Sequence, residues 1–375
     1  LYAAAVRLLH VVPTYLPARR YGGPIVAVHG LCKALVARGH EVDVMTTNVD
    51  GSGVSDVPLD KPVLLDGVRV HYFASPLRRL YWSPAMRAAL EQHAGNYDVV
   101  HAHSIYLWPT FAAARSASHH DVPYVISPRG MLVPELIRRR NRALKTTWLR
   151  LVERRNFAGA AAIHFTSQLE WDDARKTNLP LPGPFVVANG TELPPPPTAE
   201  RESNLVVSIG RISWKKGLDR LIEAAALLPD VRVVIAGNDE EELVPKLREL
   251  AAQRGVADRV TFTGAINEQE REALLARAVV FALPSHSENF GNVVIEAMAM
   301  ETPVVVTPAV GLASDVEASG AGIVTNDLAP ALAKLFADAE LRRAMGTRGR
   351  ALVAARFAWP RIAEQMEAAY RTMVK

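Results

Sequence analysis

Two kinds of hydrophobic pattern alternate along the chain. Short β-branched runs recur as "VRLLHVV" (Val6–Val12), "EVDVMTTN" (Glu41–Asn48), "VRVHYF" (Val68–Phe73), "DVVHAHS" (Asp98–Ser104), "PYVISP" (Pro123–Pro128) and "AAIHFTS" (Ala161–Ser167), each predicting a strand. Helical periodicity fills much of the space between them, as in Pro24–Arg38 and Glu135–Asn156. Near-continuous apolar strands separated by helices imply a parallel sheet covered on both faces. "NGTELPPPPTAE" (Asn189–Glu200) interrupts this order, because Pro194 to Pro197 fit neither a sheet nor a helix interior and form a stiff extended connector. The alternation then restarts with "NLVVSIG", "VRVVIAG", "RVTFTG", "AVVFALP", "TPVVVTP" and "AGIVT". Asn267, with Glu270 three positions on, predicts the cap of a helix ending near Ala278.

The expected organisation is therefore an α/β chain of two Rossmann-like, doubly wound domains facing a central cleft. The first spans 1–190, a Pro-rich linker 191–200 and the second domain 201–356. A closing helix, 357–375, is expected to cross back to the first domain from Trp359. In such sheets ligands bind at the carboxyl ends of the strands, so the loops there carry the candidate chemistry.

Composition narrows the class without naming it. The 375 residues are 49% hydrophobic and 22% charged, as in a soluble globular protein. No apolar run approaches the roughly 18 residues of a spanning helix, and no charged leader with an apolar core opens the chain, which begins at Leu1. One cysteine, Cys32, excludes an internal disulfide and a cysteine-based zinc site, and the expected compartment is the cytoplasm. Net charge is only +4, but the excess is local: Arg138, Arg139, Arg140, Arg142, Lys145, Arg150, Arg154 and Arg155 face one acid, Glu153. In that stretch Ile137, Leu144, Trp148, Leu151 and Val152 fall at helical spacing. A basic, Trp-bearing amphipathic helix suits an anionic membrane surface, and a core helix with a solvated face is the equal alternative. Nucleic acid is not expected, since aromatic interleaving and any recognised motif are lacking.

In the second half, "SIGRISWKKGLDRLIEAA" places Gly210 and Arg211 at a strand end and Lys216-Gly217 at the next helix start. Two cations there can converge on one anion, with Gly217 allowing close backbone approach. The Gly-Lys-Ser/Thr signature of a P-loop is absent. "SHSENFGNVVIEAM" (Ser285–Met298) sets Glu288 on a loop and Glu296 in the first turns of a helix, with Gly291 between them. Cations and backbone N–H groups suit phosphates, and carboxylates accept hydrogen bonds from sugar hydroxyls, so the set fits a nucleotide sugar. In the first half, Gly22 and Gly23 follow the first strand, where they serve either an ordinary turn or a close approach to phosphate. His101 and His103 share one face at a strand end; that spacing permits a metal, but no third ligand is evident. Arg129 lies at the next strand end.

"GRISWKKG", "RVTFTG", "PSHSENFGNVVIEAMAMETPVV", the "YGGP" loop and the closing "FAWPRIAEQMEAAY" together resemble the retaining glycosyltransferases of family four, which have the GT-B fold. The resemblance covers almost the whole chain and implies transfer of a hexose from a nucleotide sugar to a glycan or lipid-linked acceptor, in polysaccharide biosynthesis on the inner face of the membrane. It implies that Glu288 contacts the donor sugar and Glu296 the ribose hydroxyls. Backbone N–H groups of Phe290, Gly291 and Asn292 would meet sugar and phosphate, and Arg211 and Lys216 would hold the diphosphate. The segment from Phe262 to Gly264 would lie near the base, Gly22 and Gly23 near donor phosphate, and His103 near the transferred sugar. Arg129 is the weaker candidate for an acceptor phosphate. Asn289 departs from the pattern, which often has glycine there. No Asp-x-Asp pair occurs, so neither a metal nor another cofactor is expected. The rival readings are a GT-B epimerase or phosphorylase, and a non-catalytic two-domain sugar-binding protein.

Overall fold

The computed structural model describes residues 5–18, 22–139, 142–198 and 200–374. It contains two compact units, Leu1–Asn189 with Trp359–Lys375, and Gly190–Ala358. The Pro-rich connector thus belongs to the second unit, where Arg350 donates to the carbonyl of Pro194 at 2.6 Å and to that of Ala299 at 2.5 Å. The part of the connector at residue 199 and Tyr21 of the "YGGP" loop lie outside the described residues.

The first unit carries β1 (Arg7–Thr14), β2 (Glu41–Thr47), a short antiparallel ribbon of β3 (Val49–Asp50) and β4 (Gly53–Val54), β5 (Val63–Leu65), β6 (Val68–Phe73), β7 (Val99–His103), β8 (Tyr124–Ser127), β9 (Ala162–Phe165) and β10 (Pro184–Val186). The main sheet runs β10-β9-β8-β7-β1-β2-β6-β5, and only β5 is antiparallel to its neighbour. The ribbon, β5 and β10 have two or three residues each, too short for a period-two pattern to register in the sequence. Where β1 meets β7 the strand order reverses, and His10 pairs with His101 across that seam.

Helix Gly23–Ala37 buries Ile25, Val28, Leu31, Cys32 and Leu35, at spacings of three, three, one and three. The closing helix, Trp359–Arg371, packs on it and completes the same core through Trp359, Ile362, Met366 and Tyr370. Gly30 makes this approach possible: a Cβ there would stand 2.1 Å from Cζ2 of Trp359.

The expected single helix over Glu135–Asn156 is instead several pieces: Pro134–Arg139, Arg142–Trp148, a π-helical turn over Leu149–Glu153, and Arg154–Gly159. Arg140 and Asn141 fall outside the described residues. The π turn has an identifiable cause. It brings the buried Glu153 carboxylate to the backbone N–H of Tyr106 (2.7 Å), to Nε1 of Trp148 (2.9 Å) and to Nδ2 of Asn156 (3.1 Å). Trp148 is therefore spent on an internal hydrogen bond, and the apolar stripe divides. Ile137 and Leu149 are buried, while Leu144 and Leu151 are exposed beside Arg138, Arg150, Arg154 and Arg155.

The second unit holds β11 (Leu205–Ile209), β12 (Arg232–Ala236), β13 (Val260–Gly264), β14 (Val280–Leu283), β15 (Val304–Val306) and β16 (Gly322–Val324), all parallel, in the order β13-β12-β11-β14-β15-β16. Counted from the first strand this is 3-2-1-4-5-6, the doubly wound order, with its switch point between β11 and β14. Every residue of those two central strands is buried, which is why they appear in the sequence as apolar runs broken only by Ser208. Helix Leu218–Ala226 lays Leu218, Leu221, Ile222 and Ala225 against the sheet, and each large aliphatic side chain contributes about 1.5–3 kcal/mol by its burial.

Replacing Gly30 by Ala is expected to destabilise the first unit by about 1–3 kcal/mol, the usual cost of overpacking. In a Trp359→Leu background, where no indole opposes the new methyl group, the same change should cost less. Calorimetric unfolding of the four proteins measures the difference; equal losses in both backgrounds would contradict the Gly30–Trp359 contact.

Candidate active site

The two loops that flank the switch point of the second unit bring most of the expected residues together. After β11, Gly210 adopts φ +147°, and the chain runs through Arg211 to a short 3-10 turn, Trp214–Lys216. Gly217, at φ +58°, then starts helix Leu218–Ala226. No other residue fits there: a Cβ on Gly217 would lie 2.2 Å from the carbonyl oxygen of Pro284, at the end of β14. The loop after β14 is drawn against this turn. The His286 N–H donates to the Lys215 carbonyl at 2.7 Å, and the His286 and Trp214 rings stack with centroids 6.2 Å apart.

Across this junction Lys216 Nζ pairs with Glu288 Oε2, both side chains about one-fifth exposed at 19% and 20%. Glu288 is fixed by its backbone as well: its N–H donates to Ala309 at 3.0 Å and its carbonyl accepts from Gly311 at 2.9 Å. Two residues further on, Phe290 is buried, and Gly291 at φ +97° opens helix Asn292–Ala299. Arg211 takes a different partner from Lys216. Its Nη1 lies 3.0 Å from Glu240 Oε2, so in this structure the two cations rest on separate carboxylates. Glu240 and Glu241 were not singled out in the sequence, although Glu241 also accepts from the Trp214 N–H at 3.0 Å.

Glu296, within helix Asn292–Ala299, has Oε2 2.9 Å from Nε of Arg271 on the neighbouring helix Glu268–Arg277. Burial pushes the Glu296 carboxyl up from its ordinary value; Arg271 opposes this, and Glu268 and Glu272 add to it. Helix Glu268–Arg277 starts with the expected capping box, Asn267 and Glu270 exchanging bonds at 2.9 and 2.8 Å. Phe262 lies under the Arg248 guanidinium at 5.6 Å, and the Gly264 carbonyl, at the end of β13, accepts from the Gly237 N–H at 2.8 Å.

In the first unit, Gly22 (φ +62°) and Gly23 form the start of helix Gly23–Ala37, with nothing within 4 Å of the position a Gly22 Cβ would take. His103 is buried, and its ring is engaged on both sides. Nδ1 lies 3.1 Å from Nη2 of Arg129, and Nε2 lies 2.9 Å from Nδ1 of His10. Arginine only donates, so His103 Nδ1 accepts; a neutral His103 then carries its proton on Nε2 and donates to His10. Arg129, whose other terminal nitrogen donates to Asn189 at 2.7 Å, thus sets the tautomer of a chain of rings.

His10 is the third ring that sequence spacing did not reveal, since it comes from β1 and meets β7 only through sheet pairing. Ring nitrogens of His10, His101 and His103 lie within 4.8 Å of one another, close enough for one metal ion. A hydrogen bond joins His10 to His103, and His101 meets both by ring contact, with centroids 5.2 and 4.1 Å away; a cation among the rings would stand beside the Arg129 guanidinium. His164 on β9 joins them, its ring centroid 5.3 Å from that of His101, and burial drives all four histidines down, His10 and His164 to about 3 and His101 and His103 well below the ordinary value. Burial also lowers Arg129 to about 10. His101 Nδ1 meets the Tyr370 hydroxyl at 2.7 Å, which ties the closing helix to the cluster. Glu170 holds the Arg129 loop, accepting from the Gly130 N–H at 2.6 Å and from the Thr166 N–H at 2.7 Å. Ser104, Tyr106 and Arg129 all have positive φ, a concentration of backbone strain at the carboxyl ends of β7 and β8.

Comparison with known proteins bears on both units. Residues 22–190 match the family described as glycosyl transferase 4-like domain, and residues 191–352 match glycosyl transferases group 1. A D-inositol 3-phosphate glycosyltransferase of Xylanimonas cellulosilytica is 31% identical, over 94% of this chain and 92% of the relative. Among solved structures, sucrose-phosphate synthase from Thermosynechococcus elongatus superposes with a TM-score of 0.78 at 23% identity, covering 98% of each chain. Anabaena HepE, solved in complex with UDP and glucose, gives 0.75 at 20% identity, covering 98% of this chain and 100% of that one. The two Rossmann-like units are those of the GT-B fold.

The neutral cluster predicts a definite pH dependence. An unfolded histidine titrates near 6.5, whereas the buried rings stay neutral to about 3. Between those values the unfolded chain binds more protons, so stability falls as pH falls, by up to about 1.4 kcal/mol per pH unit for each ring. Burial pushes the Glu153 carboxyl of the same unit up, which acts in the opposite sense, but it is one group against four rings. The calorimetric Tm of the first unit should drop from pH 7 to pH 5, and an unchanged Tm would contradict four neutral buried rings.

Proposed function

The chain belongs to the group 1 glycosyl transferases of the family-four type, and on that premise we propose a specific reaction for it. It moves a hexose from a nucleoside diphosphate sugar to a hydroxyl of a glycan or lipid-linked acceptor, with retention at the anomeric carbon, in cell-surface polysaccharide synthesis. One observation carries this reading. At the switch point of the second unit, a lysine and a glutamate from two different strand-end loops meet beside two helix starts, each opened by a left-handed glycine.

The chemistry follows from where charge develops. The bond between the anomeric carbon and the phosphate oxygen breaks, its electron pair leaves with the diphosphate, and the sugar becomes oxocarbenium-like. The acceptor oxygen attacks from the same face, and its proton passes to the departing diphosphate. Lys216 and Arg211 supply fixed positive charge to that leaving group, aided by the starts of helices Leu218–Ala226 and Asn292–Ala299. Glu288 takes hydroxyls of the donor sugar and Glu296 those of the ribose, while the segment from Phe262 to Gly264 borders the base. No divalent ion is required in this scheme, in keeping with the lack of an Asp-x-Asp pair. His103, with both ring nitrogens engaged internally, acts as a neutral positioned group and not as a base.

Binding at an anionic membrane completes the proposal. No helix among the described residues is long and apolar enough to cross a membrane. The segment Arg142–Gly159 instead exposes Leu144 and Leu151 among Arg150, Arg154 and Arg155, which suits peripheral contact on the inner face. A second reading, with a soluble polyol phosphate as acceptor, is favoured by the 31% identical relative, whose name specifies D-inositol 3-phosphate. Supplying each acceptor class with labelled donor separates the two.

Lys216→Ala is expected to lower kcat by about 10²–10³, the cost of losing one preorganised transition-state partner. Steady-state release of nucleoside diphosphate, measured together with glycan product, checks this. Near-normal turnover in the variant, or loss of wild-type turnover on chelation of divalent ions, would remove the proposed role. Diphosphate release without a glycan product would favour epimerisation or hydrolysis. A thermal-shift series with UDP, GDP and ADP identifies the base by the largest stabilisation.

A further inference from the structure

The membrane contact proposed above lacks an interfacial aromatic residue in its basic segment, because Trp148 is turned onto Glu153. Another element of the same unit has one. The six residues "LRRLYW", Leu77–Trp82, follow β6 and form a tight loop closed on itself. Leu77 and Trp82 make an antiparallel bridge, the Leu80 N–H donates to Leu77 at 3.1 Å, and the Tyr81 N–H donates to Arg78 at 3.0 Å. The loop is anchored from below: Ser75 donates to the Trp82 carbonyl at 2.9 Å, and the Ser83 hydroxyl caps helix Pro84–His93 by accepting from Met86.

This well-bonded loop displays side chains that a soluble surface usually hides. Leu77, Leu80 and Trp82 are 49%, 43% and 39% exposed. Among the described tryptophans and phenylalanines, Trp82 alone is exposed. Arg78 and Arg79 stand between the leucines, both exposed, and Arg78 donates to the Ser52 carbonyl in the turn of the β3–β4 ribbon at 2.7 Å. That ribbon adds Val54, also exposed. No acidic residue occurs between Asp66 and Glu91, so positive charge here is uncompensated along the sequence.

We propose that Leu77–Trp82 is a membrane-insertion loop, whose two leucines and tryptophan enter the interface of an anionic bilayer while Arg78 and Arg79 bind lipid phosphates. Three features distinguish it from a platform for a sugar or a protein. The apolar side chains are interleaved with cations, as interfacial segments require. Tryptophan is the residue that favours the headgroup level. The turn hydrogen bonds fix the backbone, so little ordering entropy opposes insertion. The loop also leaves the sheet at its carboxyl end, as the basic segment does, though from strands on opposite sides of β1. It leaves the carboxyl end of β6, and Glu153 accepts from Tyr106, three residues beyond the carboxyl end of β7. One weak anchor gives only marginal binding, and two acting together give stable association.

The test uses the whole chain with vesicles of phosphatidylcholine alone or mixed with phosphatidylglycerol. Wild-type protein should sediment with the anionic vesicles. The variant Leu77→Ser/Leu80→Ser/Trp82→Ser should bind about ten-fold more weakly, and Arg78→Glu/Arg79→Glu should lose its preference for phosphatidylglycerol. Stabilisation by UDP, GDP or ADP should be unchanged in both, which also shows that they fold. In vesicles containing brominated lipid, quenching of tryptophan fluorescence should be lost in Trp82→Phe, a substitution that keeps the loop's shape. Wild-type binding with equal binding by the triple variant, or quenching retained in Trp82→Phe, overturns the loop proposal and leaves the basic segment as the contact. Failure of the wild type to bind any vesicle while it still binds nucleotide overturns the membrane reading itself. Loss of binding to a glycan acceptor in place of vesicles would assign the loop to sugar recognition instead.

Discussion

The pairing of Lys216 with Glu288 is the interaction on which the function proposed for the second unit rests. A parallel doubly wound sheet must send the loops of its two central strands in opposite directions, which leaves a crevice where β11 and β14 part. Charged groups held in such a place lose much of their hydration, and each needs a partner. Lys216 and Glu288, 72 residues apart in sequence, answer that need for each other. A bound diphosphate would compete with Glu288 for the ammonium, and the sugar hydroxyls would compete with the ammonium for the carboxylate. In the proposed reaction, the same electrostatic demand that ties the loops together would match both groups to the two ends of a nucleotide sugar. Arg211 on Glu240 repeats the arrangement at the rim, at a more exposed position.

The first unit meets the same constraint differently. Its sheet buries four histidines on β1, β7 and β9, and burial keeps all of them neutral. Arg129 is in contact with this cluster, and it fixes the direction of the hydrogen bonds through His103 to His10. Two buried carboxylates do related work on the backbone. Glu170 holds the loop that carries Arg129, and Glu153 holds the loop after β7 while bending the basic segment into a π turn. Strained φ values at Tyr106 and Arg129 are therefore sustained by side-chain acceptors, while Ser104 donates to the Ser127 carbonyl and accepts from the Thr110 hydroxyl.

Much of this was legible in the sequence because the central strands are near-continuous apolar runs and the strand-end loops carry their glycines and charges within a few residues. Glu288, Gly291, Lys216 and Gly217 belong to that class, as does the Asn267 cap. What stayed hidden depends on non-local pairing or on short elements. His10 joins His101 and His103 only through sheet register, and Glu240 meets Arg211 only because two strand-end loops are neighbours. The strands β5 and β10 are too short to show a period. The helix over Glu135–Asn156 was misread for a definite reason: helical spacing assigns Trp148, Leu144 and Leu151 to one stripe, whereas the π turn and Glu153 draw the tryptophan inward. Leu77–Trp82 escaped notice because a loop has no periodicity by which its exposed apolar residues stand out.

In the proposed reaction fixed protein charge receives the diphosphate, and calorimetric titration in the presence of a chelator measures this. Wild-type protein should bind the matching nucleoside diphosphate more tightly than its monophosphate, and Lys216→Ala should bind both with nearly equal, weaker affinity. A preference for the diphosphate that survives in the variant, or that appears only when magnesium is restored, would contradict the account.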